Sequence, residues 1–369
     1  MKIAIVCPYN YFIPGGVQEH VKAQSEELIS RGYEVAVITP RPRNHKLLSP
    51  ENVIFAGQSA RVRTPSNTSS DVSISVGLDE IDEILEREKF DIIHLHEPAI
   101  PLLGRQILNK ARVPTVGTFH AAPPNNMVGR SFISTMTPYN RSFAKAVTAI
   151  TVVSPAAAEM LGDDFDYYTI PNGVDLSLYK PPKTKRDPNM ILYVGRLEKR
   201  KGPKHLLNAY QIIKKKHPSL HLEIAGDGPL RRSLEEYCED KQIPDVVFHG
   251  FVSQEDKREM MGRCGVFTSP ALYGESFGIV VVEAMAMGAP VVAGDNPGYA
   301  TVMTGRGSLS LVDPKDTFAY ARLLELFLND QEFVDVWREW AKSAVKEFDW
   351  PKVVDKYVEL YDNLVDSRQ

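Results

Sequence analysis

Glu275 and Glu283 stand eight residues apart in the string Glu275-Ser276-Phe277-Gly278-Ile279-Val280-Val281-Val282-Glu283-Ala284-Met285-Ala286. The apolar run predicts a helix over Ile279–Met287, with Glu275 just before it and Glu283 about two turns further on, on a nearby face. Two carboxylates so placed can take hydroxyls from two sugar rings of one ligand. The backbone N–H groups of Phe277, Gly278 and Ile279 at the helix start favour a negative oxygen. Glu283 interrupts an otherwise apolar helix, and a buried charge there needs a partner. A second string, Gly195-Arg196-Leu197-Glu198-Lys199-Arg200-Lys201-Gly202, packs four cations into six residues between two glycines. It follows a predicted strand and precedes a predicted helix, an arrangement for holding a diphosphate: Arg brings a planar fork and Lys a point charge. Gly226-Asp227-Gly228-Pro229 is a further turn at a strand end.

The first half carries its own polar strings. Pro8-Tyr9-Asn10 ends the first strand, and Pro14-Gly15-Gly16-Val17 opens a helix over Gln18–Ser30. Paired glycines before a helix let the backbone approach an anion, although no G-x-G-x-x-G dinucleotide fingerprint follows the strand. His94-Leu95-His96-Glu97-Pro98 and Thr118-Phe119-His120 end two later strands. Alternation puts His94 and His96 on one side, yet the spacing offers no third ligand, so these read as polar strand ends facing a cleft and no metal site is assigned. The string Asp164-Phe165-Asp166 precedes a strand, the wrong end for a ligand crevice.

Short β-branched runs alternating with amphipathic stretches must position these residues. Strands are expected at Lys2–Cys7, Glu34–Thr39, Ile92–His96, Thr115–Thr118, Ile150–Val153 and Tyr167–Ile170, and then at Met190–Val194, Leu220–Ala225, Val246–Phe248, Val266–Ser269, Pro290–Ala293 and Leu309–Leu311. Apolar strands separated by helices predict parallel sheets covered on both faces, and the pattern runs twice, giving an α/β protein of two doubly wound, Rossmann-like domains. The proline-rich, charged stretch Lys180–Pro188 reads as linker, setting an N-terminal domain at 1–178 and a C-terminal domain at 179–349. A last helix, with Pro351 in its first turn, is expected to cross back over residues 350–369.

Composition narrows the classes. The chain has 369 residues, 43% hydrophobic and 24% charged, a globular balance that fits two domains. A net charge of −4 argues against nucleic acid as a partner. Three widely spaced cysteines, Cys7, Cys238 and Cys264, give no disulfide framework and suit a reducing cytoplasm. No apolar run reaches the ~20 residues of a membrane span, and the N-terminus does not read as a signal peptide.

Taken together, Gly15-Gly16-Val17, Asn172-Gly173-Val174-Asp175, Gly195-Arg196…Lys201-Gly202 and the E-x-F-G-x-x-x-x-E string from Glu275 to Glu283 resemble the retaining glycosyltransferases of the GT-B fold in the large family four of sugar-nucleotide-dependent transferases. A finer resemblance, to the bacterial phosphatidylinositol mannosyltransferases, is carried by Val6-Cys7-Pro8-Tyr9, Pro14-Gly15-Gly16-Val17-Gln18…His20-Val21, His94–Pro98, Thr118–His120 and Gly274–Val280. The resemblance implies a GT-B fold whose domains face a central cleft and close on the donor. It implies that Arg196 and Lys201 hold the donor diphosphate, that Gly15 and Gly16 bring backbone to the phosphates, and that Glu275 binds sugar hydroxyls and Glu283 the ribose. Phe277, Gly278 and Ile279 would offer backbone N–H groups, Val252 and Lys257 would flank the base, His120 would face the reacting sugar, and Tyr9 and Gln18 would contact the acceptor.

The function so implied is transfer of a hexose, foremost mannose from GDP-mannose, to the hydroxyl of phosphatidylinositol or another lipid-linked acceptor, with the donor phosphate as base. No metal and no cofactor is expected, because Arg and Lys neutralise the diphosphate. The protein would be cytoplasmic, with peripheral contact at the inner membrane face if the acceptor is a lipid. A UDP-hexose donor with a soluble or glycan acceptor, a non-transferase GT-B enzyme and a nucleotide-sugar-binding module remain as alternatives. One stretch departs from the basic amphipathic helix of the phosphatidylinositol enzymes: Asp79–Lys89 is predominantly acidic, and anionic lipid would repel it. Arg41, Arg43, Lys46, Arg61 and Arg63 supply cations nearby in sequence.

Overall fold

The structure, a computed structural model, describes residues 1–13, 15–42, 50–63, 69–75, 77–98, 100, 102–122, 127–162, 164–181 and 185–367. Pro14, Arg43 and Lys46, named above, lie outside the described residues. Two compact units emerge: Met1–Gly173 together with Trp350–Gln369, and Val174–Asp349. The first contains β1 (Lys2–Val6), α1 (Gly16–Ser30), β2 (Glu34–Arg41), β3 (Val53–Arg63), β4 (Ser69–Ser75), α2 (Leu78–Glu88), β5 (Ile92–His96), α3 (Leu103–Lys110), β6 (Thr115–Phe119), α4 (Met127–Ala144), β7 (Ala149–Val152), α5 (Pro155–Ala158) and β8 (Tyr168–Thr169). The second contains β9 (Asp187–Val194), α6 (Pro203–Lys214), β10 (His221–Ala225), α7 (Arg231–Asp240), β11 (Val246–Gly250), α8 (Gln254–Arg263), β12 (Cys264–Ser269), α9 (Ile279–Ala286), β13 (Val291–Gly294), α10 (Pro297–Val302), β14 (Leu311–Val312), α11 (Thr317–Asn329) and α12 (Gln331–Ala344). The chain then returns to the first unit as α13 (Trp350–Asp366).

In the first unit the strand order is β4-β3-β2-β1-β5-β6-β7-β8, parallel except for the antiparallel edge strand β4. In the second it is β11-β10-β9-β12-β13-β14, parallel throughout. In both, the chain starts in mid-sheet, winds out to one side and returns to the other, so a switch point lies between β1 and β5 and again between β9 and β12. Open parallel sheets offer their ligand crevice at the carboxyl ends of the strands beside that point.

Strand alternation explains why both faces are covered. Ile3, Ile5 and Cys7 point to one side, against Val21 and Leu28 of α1 and Val353, Val354, Tyr357 and Tyr361 of α13. Ala4 and Val6 point to the other, against Ile81 and Ile84 of α2 and Leu103 and Ile107 of α3. The buried positions of α13, spaced three and four apart, form the stripe that seats it. Each fully buried valine there contributes about 1.5–3 kcal/mol of transfer free energy. The second unit has one continuous core running from Met190–Tyr193 through Val281–Met285 to Trp337.

Two strands escaped the sequence reading. Gly57 interrupts β3, and β4 reads Ser69-Ser-Asp-Val-Ser-Ile-Ser75, whose serines mask its alternation. Asp187 and Pro188, expected in the linker, instead open β9. Helices α3 and α4 and the single-turn α5 were also not anticipated. No helix among the described residues is long and apolar enough to cross a membrane.

Candidate active site

The cationic string of the second unit sits where β9 ends. Lys199–Lys201 form a single 3-10 turn closed by Gly202, at φ +68°, which also caps α6. Only glycine fits there, since a Cβ would lie 2.1 Å from the Pro270 carbonyl oxygen at the end of β12. The turn is therefore pressed against the neighbouring strand end, and Leu272 N–H donates to Arg200 O at 2.8 Å. Glu275 comes in from the β12–α9 connection. Arg200 Nη1 and Lys201 Nζ each lie 2.7 Å from Glu275 Oε1. Arg200 Nε reaches Glu198 Oε2 at 3.0 Å, and Arg196 Nη2 lies 2.9 Å from Glu198 Oε1. The structure thus gathers Arg196, Lys201 and Glu275 into one lattice and adds Arg200 and Glu198, which the sequence displayed in the cation run without singling them out. Arg196 keeps half its side chain exposed while Glu275 is largely buried, so the cationic edge faces outward.

Helix α9 begins at Gly278, whose φ of +96° and contact with Tyr299, 2.4 Å from where a Cβ would stand, admit glycine alone. Phe277 is buried edge-to-face on Phe348, and Ile279 is exposed. The partner that Glu283 required is double: its Oε1 accepts from Lys257 Nζ and from Tyr179 Oη, each at 2.6 Å. Burial, then the Glu283 carboxylate, hold the Tyr179 hydroxyl well above its usual range. Lys257 and Glu283 are therefore joined, and Val252 packs against the core of the same unit. Tyr179 carried no sequence signal, because its partner is 104 residues away.

The first unit builds its polar site differently. Gly16 is the exposed first residue of α1, and Gln18 folds back over Gly15, where a Cβ would stand 2.5 Å from Gln18 Oε1. Tyr9 leaves β1, its carbonyl accepting from Thr39 Oγ1 at 2.8 Å. Burial and then the nearby Glu97 carboxylate raise its hydroxyl well above the ordinary range. Glu97 follows β5 in a left-handed conformation, φ +46°, a strained state for a non-glycine residue that is retained at functional sites. Its Oε2 accepts from the backbone N–H of His120 at 3.2 Å. Burial lifts its carboxyl to about 7, against the lowering effect of the backbone donors of His120 and Ala121. Glu97 thereby ties the end of β5 to the end of β6 and His120, and its charge is felt by Tyr9 at the end of β1.

Four buried histidines stand behind this rim. His94 Nδ1 lies 2.6 Å from Tyr361 Oη, and its Nε2 lies 2.5 Å from Thr118 Oγ1. His96 Nδ1 is 2.8 Å from His120 Nε2, and His20 Nδ1 is 2.9 Å from Asn172 Oδ1. Burial depresses all four, His20 to about 4 and His94, His96 and His120 well below the usual imidazole value. They are neutral at pH 7. Sequence spacing offered His96 no third metal ligand, but the fold brings His20 and His120 to it, their ligand atoms all within 4.8 Å of one another. His96 Nδ1 and His120 Nε2, at 2.8 Å, stand closer than the roughly 3.4 Å that a tetrahedral ion with ~2.1 Å bonds would impose. They are spaced as a hydrogen-bonded pair. Asp164 of the Asp-Phe-Asp string pairs with Arg141.

Known proteins place this geometry. Residues 14–178 match the family described as Glycosyltransferase Family 4, and residues 178–344 the family described as Glycosyl transferases group 1. The chain is 31% identical to the phosphatidyl-myo-inositol mannosyltransferase of Mycobacterium leprae, over 100% of this chain and 98% of that one. It is 30% identical to the protein of the same name from Mycolicibacterium smegmatis, over 99% and 94%. Among solved structures it is similar to sucrose-phosphate synthase from Thermosynechococcus elongatus, with a TM-score of 0.78 at 20% identity over 99% of each chain. It is also similar to Anabaena HepE in complex with UDP and glucose, with a TM-score of 0.72 at 19% identity, over 99% of this chain and 100% of that one. With two doubly wound units, a cation-lined strand end and full-length relatives of this kind, the chain belongs to the GT-B glycosyltransferases, family four in its first half and group 1 in its second.

Proposed function

We propose that the protein is a retaining, metal-independent mannosyltransferase that moves mannose from GDP-mannose to a hydroxyl of phosphatidylinositol or a similar lipid-linked acceptor. The observation that carries this reading is the 31% identity, end to end, to a phosphatidyl-myo-inositol mannosyltransferase. The geometry of each unit supplies the matching chemistry. Cleaving a sugar–diphosphate bond leaves an oxocarbenium-like sugar and an added phosphate charge. Arg196 and Lys201 stabilise that charge where it develops and spare the need for a metal or cofactor. The diphosphate competes with Glu275 for Lys201, freeing that carboxylate for sugar hydroxyls. Glu283, fixed by Lys257 and Tyr179, takes the ribose, and Val252 and Lys257 flank the base. Phe277, Gly278 and Ile279 give backbone N–H groups to the phosphates, as do Gly15 and Gly16 from the first unit. His120 faces the reacting sugar, and Tyr9 and Gln18 meet the acceptor. The acceptor lipid makes the protein a peripheral guest of the membrane surface.

The test is nucleotide release from a panel of GDP- and UDP-sugars, with and without phosphatidylinositol vesicles. GDP release from GDP-mannose that rises with the lipid, with the α-linked mannolipid as product, is the expected result. Release from a UDP-hexose alone would replace the donor and sugar while keeping the roles of Arg196, Lys201 and Glu275. Binding of nucleotide with no turnover for any donor and acceptor would overturn the reading.

A further inference from the structure

Two successive residues at the end of β5, His96 and Glu97, take hold of β6. In the parallel pairing of these strands His94 stands beside Val116 and His96 beside Thr118. Each histidine reaches two residues further along its neighbour. His94 Nε2 lies 2.5 Å from Thr118 Oγ1, and His96 Nδ1 lies 2.8 Å from His120 Nε2. The same diagonal step is therefore made twice, with the two β5 rings packed at 4.1 Å. Glu97 then adds the backbone. Its N–H donates to Thr118 O at 2.8 Å, and its Oε2 accepts from the His120 N–H at 3.2 Å. His96 is 2% exposed and Glu97 4%, so water does not compete for either bond.

The proton positions follow from which atoms can donate. An amide N–H only donates, so Gln24 Nε2, 3.2 Å from His94 Nδ1, meets a bare nitrogen there. Neutral His94 therefore carries its proton on Nε2 and gives it to Thr118. His96 is arranged the other way. Its Nε2 is buried with no hydrogen-bond partner among the described residues. Were His96 Nδ1 the acceptor, that orphan would be an N–H, a costly group to bury unpaired. With Nδ1 as donor, only a lone pair is left bare. His96 thus donates to His120 Nε2, which leaves neutral His120 with its proton on Nδ1.

We propose that His96 is a positioning residue for His120: its Nδ1–H holds the His120 ring by Nε2 and fixes that ring's proton on Nδ1, while Glu97 holds the backbone of the same residue. This rests on the reading that His120 faces the reacting sugar. His120 then enters the reaction with one ring nitrogen already occupied. It meets the donor as an oriented, neutral ring. Its Nε2 is closed to the acceptor proton, which goes to the donor phosphate.

Nitrogen-15 NMR of the full chain labelled at histidine separates protonated from bare ring nitrogens. The expected wild-type pattern is Nε2–H at His94 and Nδ1–H at His96 and His120. A proton on Nε2 of His120 overturns the proposal. His96→Leu keeps an apolar body in the space and removes the donor. It should release His120 into a mixture of both ring forms and lower kcat about tenfold to a hundredfold, with the donor KM within about twofold. His96→Asn, whose amide N–H can stand where Nδ1 stood, should keep His120 as Nδ1–H and restore most of kcat. An unchanged kcat in His96→Leu, or equal losses in His96→Leu and His96→Asn, overturns the positioning role. If His96→Leu fails to fold, the wild-type rings and the kcat of His96→Asn decide the matter. A wild type that transfers no mannose overturns the proposed function, while the ring pattern still tests the hydrogen bond.

Discussion

The two units share a doubly wound sheet but hold their polar residues by opposite electrostatic means. The second unit uses charge. Glu275 sits between Arg200 and Lys201, and Glu283 between Lys257 and Tyr179. The first uses neutral groups: His20, His94, His96 and His120, two tyrosines of α13, Asn172 and Gln24 form a buried hydrogen-bonded set in which ring protons replace ion pairs. On the proposed function, the second unit's site releases a charged diphosphate, and cations already balanced by carboxylates suit that task. On the same proposal the first unit's site faces a sugar with little formal charge, and neutral, tightly oriented rings suit it, since unpaired buried charge is costly.

Acid should break this contrast first, and most strongly. A depressed imidazole stabilises the fold above its unfolded value near 6.5, and that stability is lost as pH falls toward the folded value. For His20, with a folded value of about 4, the loss by pH 4 is about 3 kcal/mol, and three more buried histidines act in the same direction. Glu97 opposes them: its carboxyl, raised to about 7, stabilises fully below its unfolded value and loses that contribution as pH rises through 7. Residue-resolved hydrogen exchange between pH 7 and pH 4 should show the first unit losing protection before the second. The opposite order would dissolve the distinction. Glu97→Gln should steepen the net rise of stability with pH between 5 and 7.

Removing cations should affect only the other unit. Arg196→Ala or Lys201→Ala is expected to slow nucleotide release about 10²-fold or more, the scale for losing one donor to a developing oxyanion. The first unit's acid profile should stay as it was, and a changed profile would show that the two polar sets are not separate. Gly278→Ala tests backbone rather than charge. A left-handed φ and the close Tyr299 ring make it cost about 2 kcal/mol, read by chemical denaturation. Tyr179→Phe is the mildest change. It removes one of two donors from Glu283 and should cost about 1 kcal/mol and raise the donor KM, while Lys257 keeps the carboxylate in place.

How much could be read in advance differs between the units for the same physical reason. The donor-side strings are local. Arg196 to Lys201 is one turn, Glu275 to Glu283 one helix start, and the apolar setting of Glu283 already demanded a partner. The histidine set is not local. His20 comes from α1, His96 from the end of β5, His120 from the end of β6, and Asn172 from beyond β8, so spacing alone suggested at most two neighbours for a metal. Strand β4 was missed because its serines hide the alternation on which such readings depend.

The sequence by itself determined the doubly wound class, the placing of the glycines and cations at strand ends, and the need to satisfy Glu283, since each follows from periodicity, backbone freedom or the cost of a buried charge within a dozen residues. Tertiary structure alone decided that Tyr179 and Lys257 meet Glu283, that Arg200 shares Glu275, and that four histidines close on Asn172 and α13. Those outcomes depend on which side chains two sheets and a returning helix bring within about 3 Å, the reach of a hydrogen bond, and no local pattern encodes such distances.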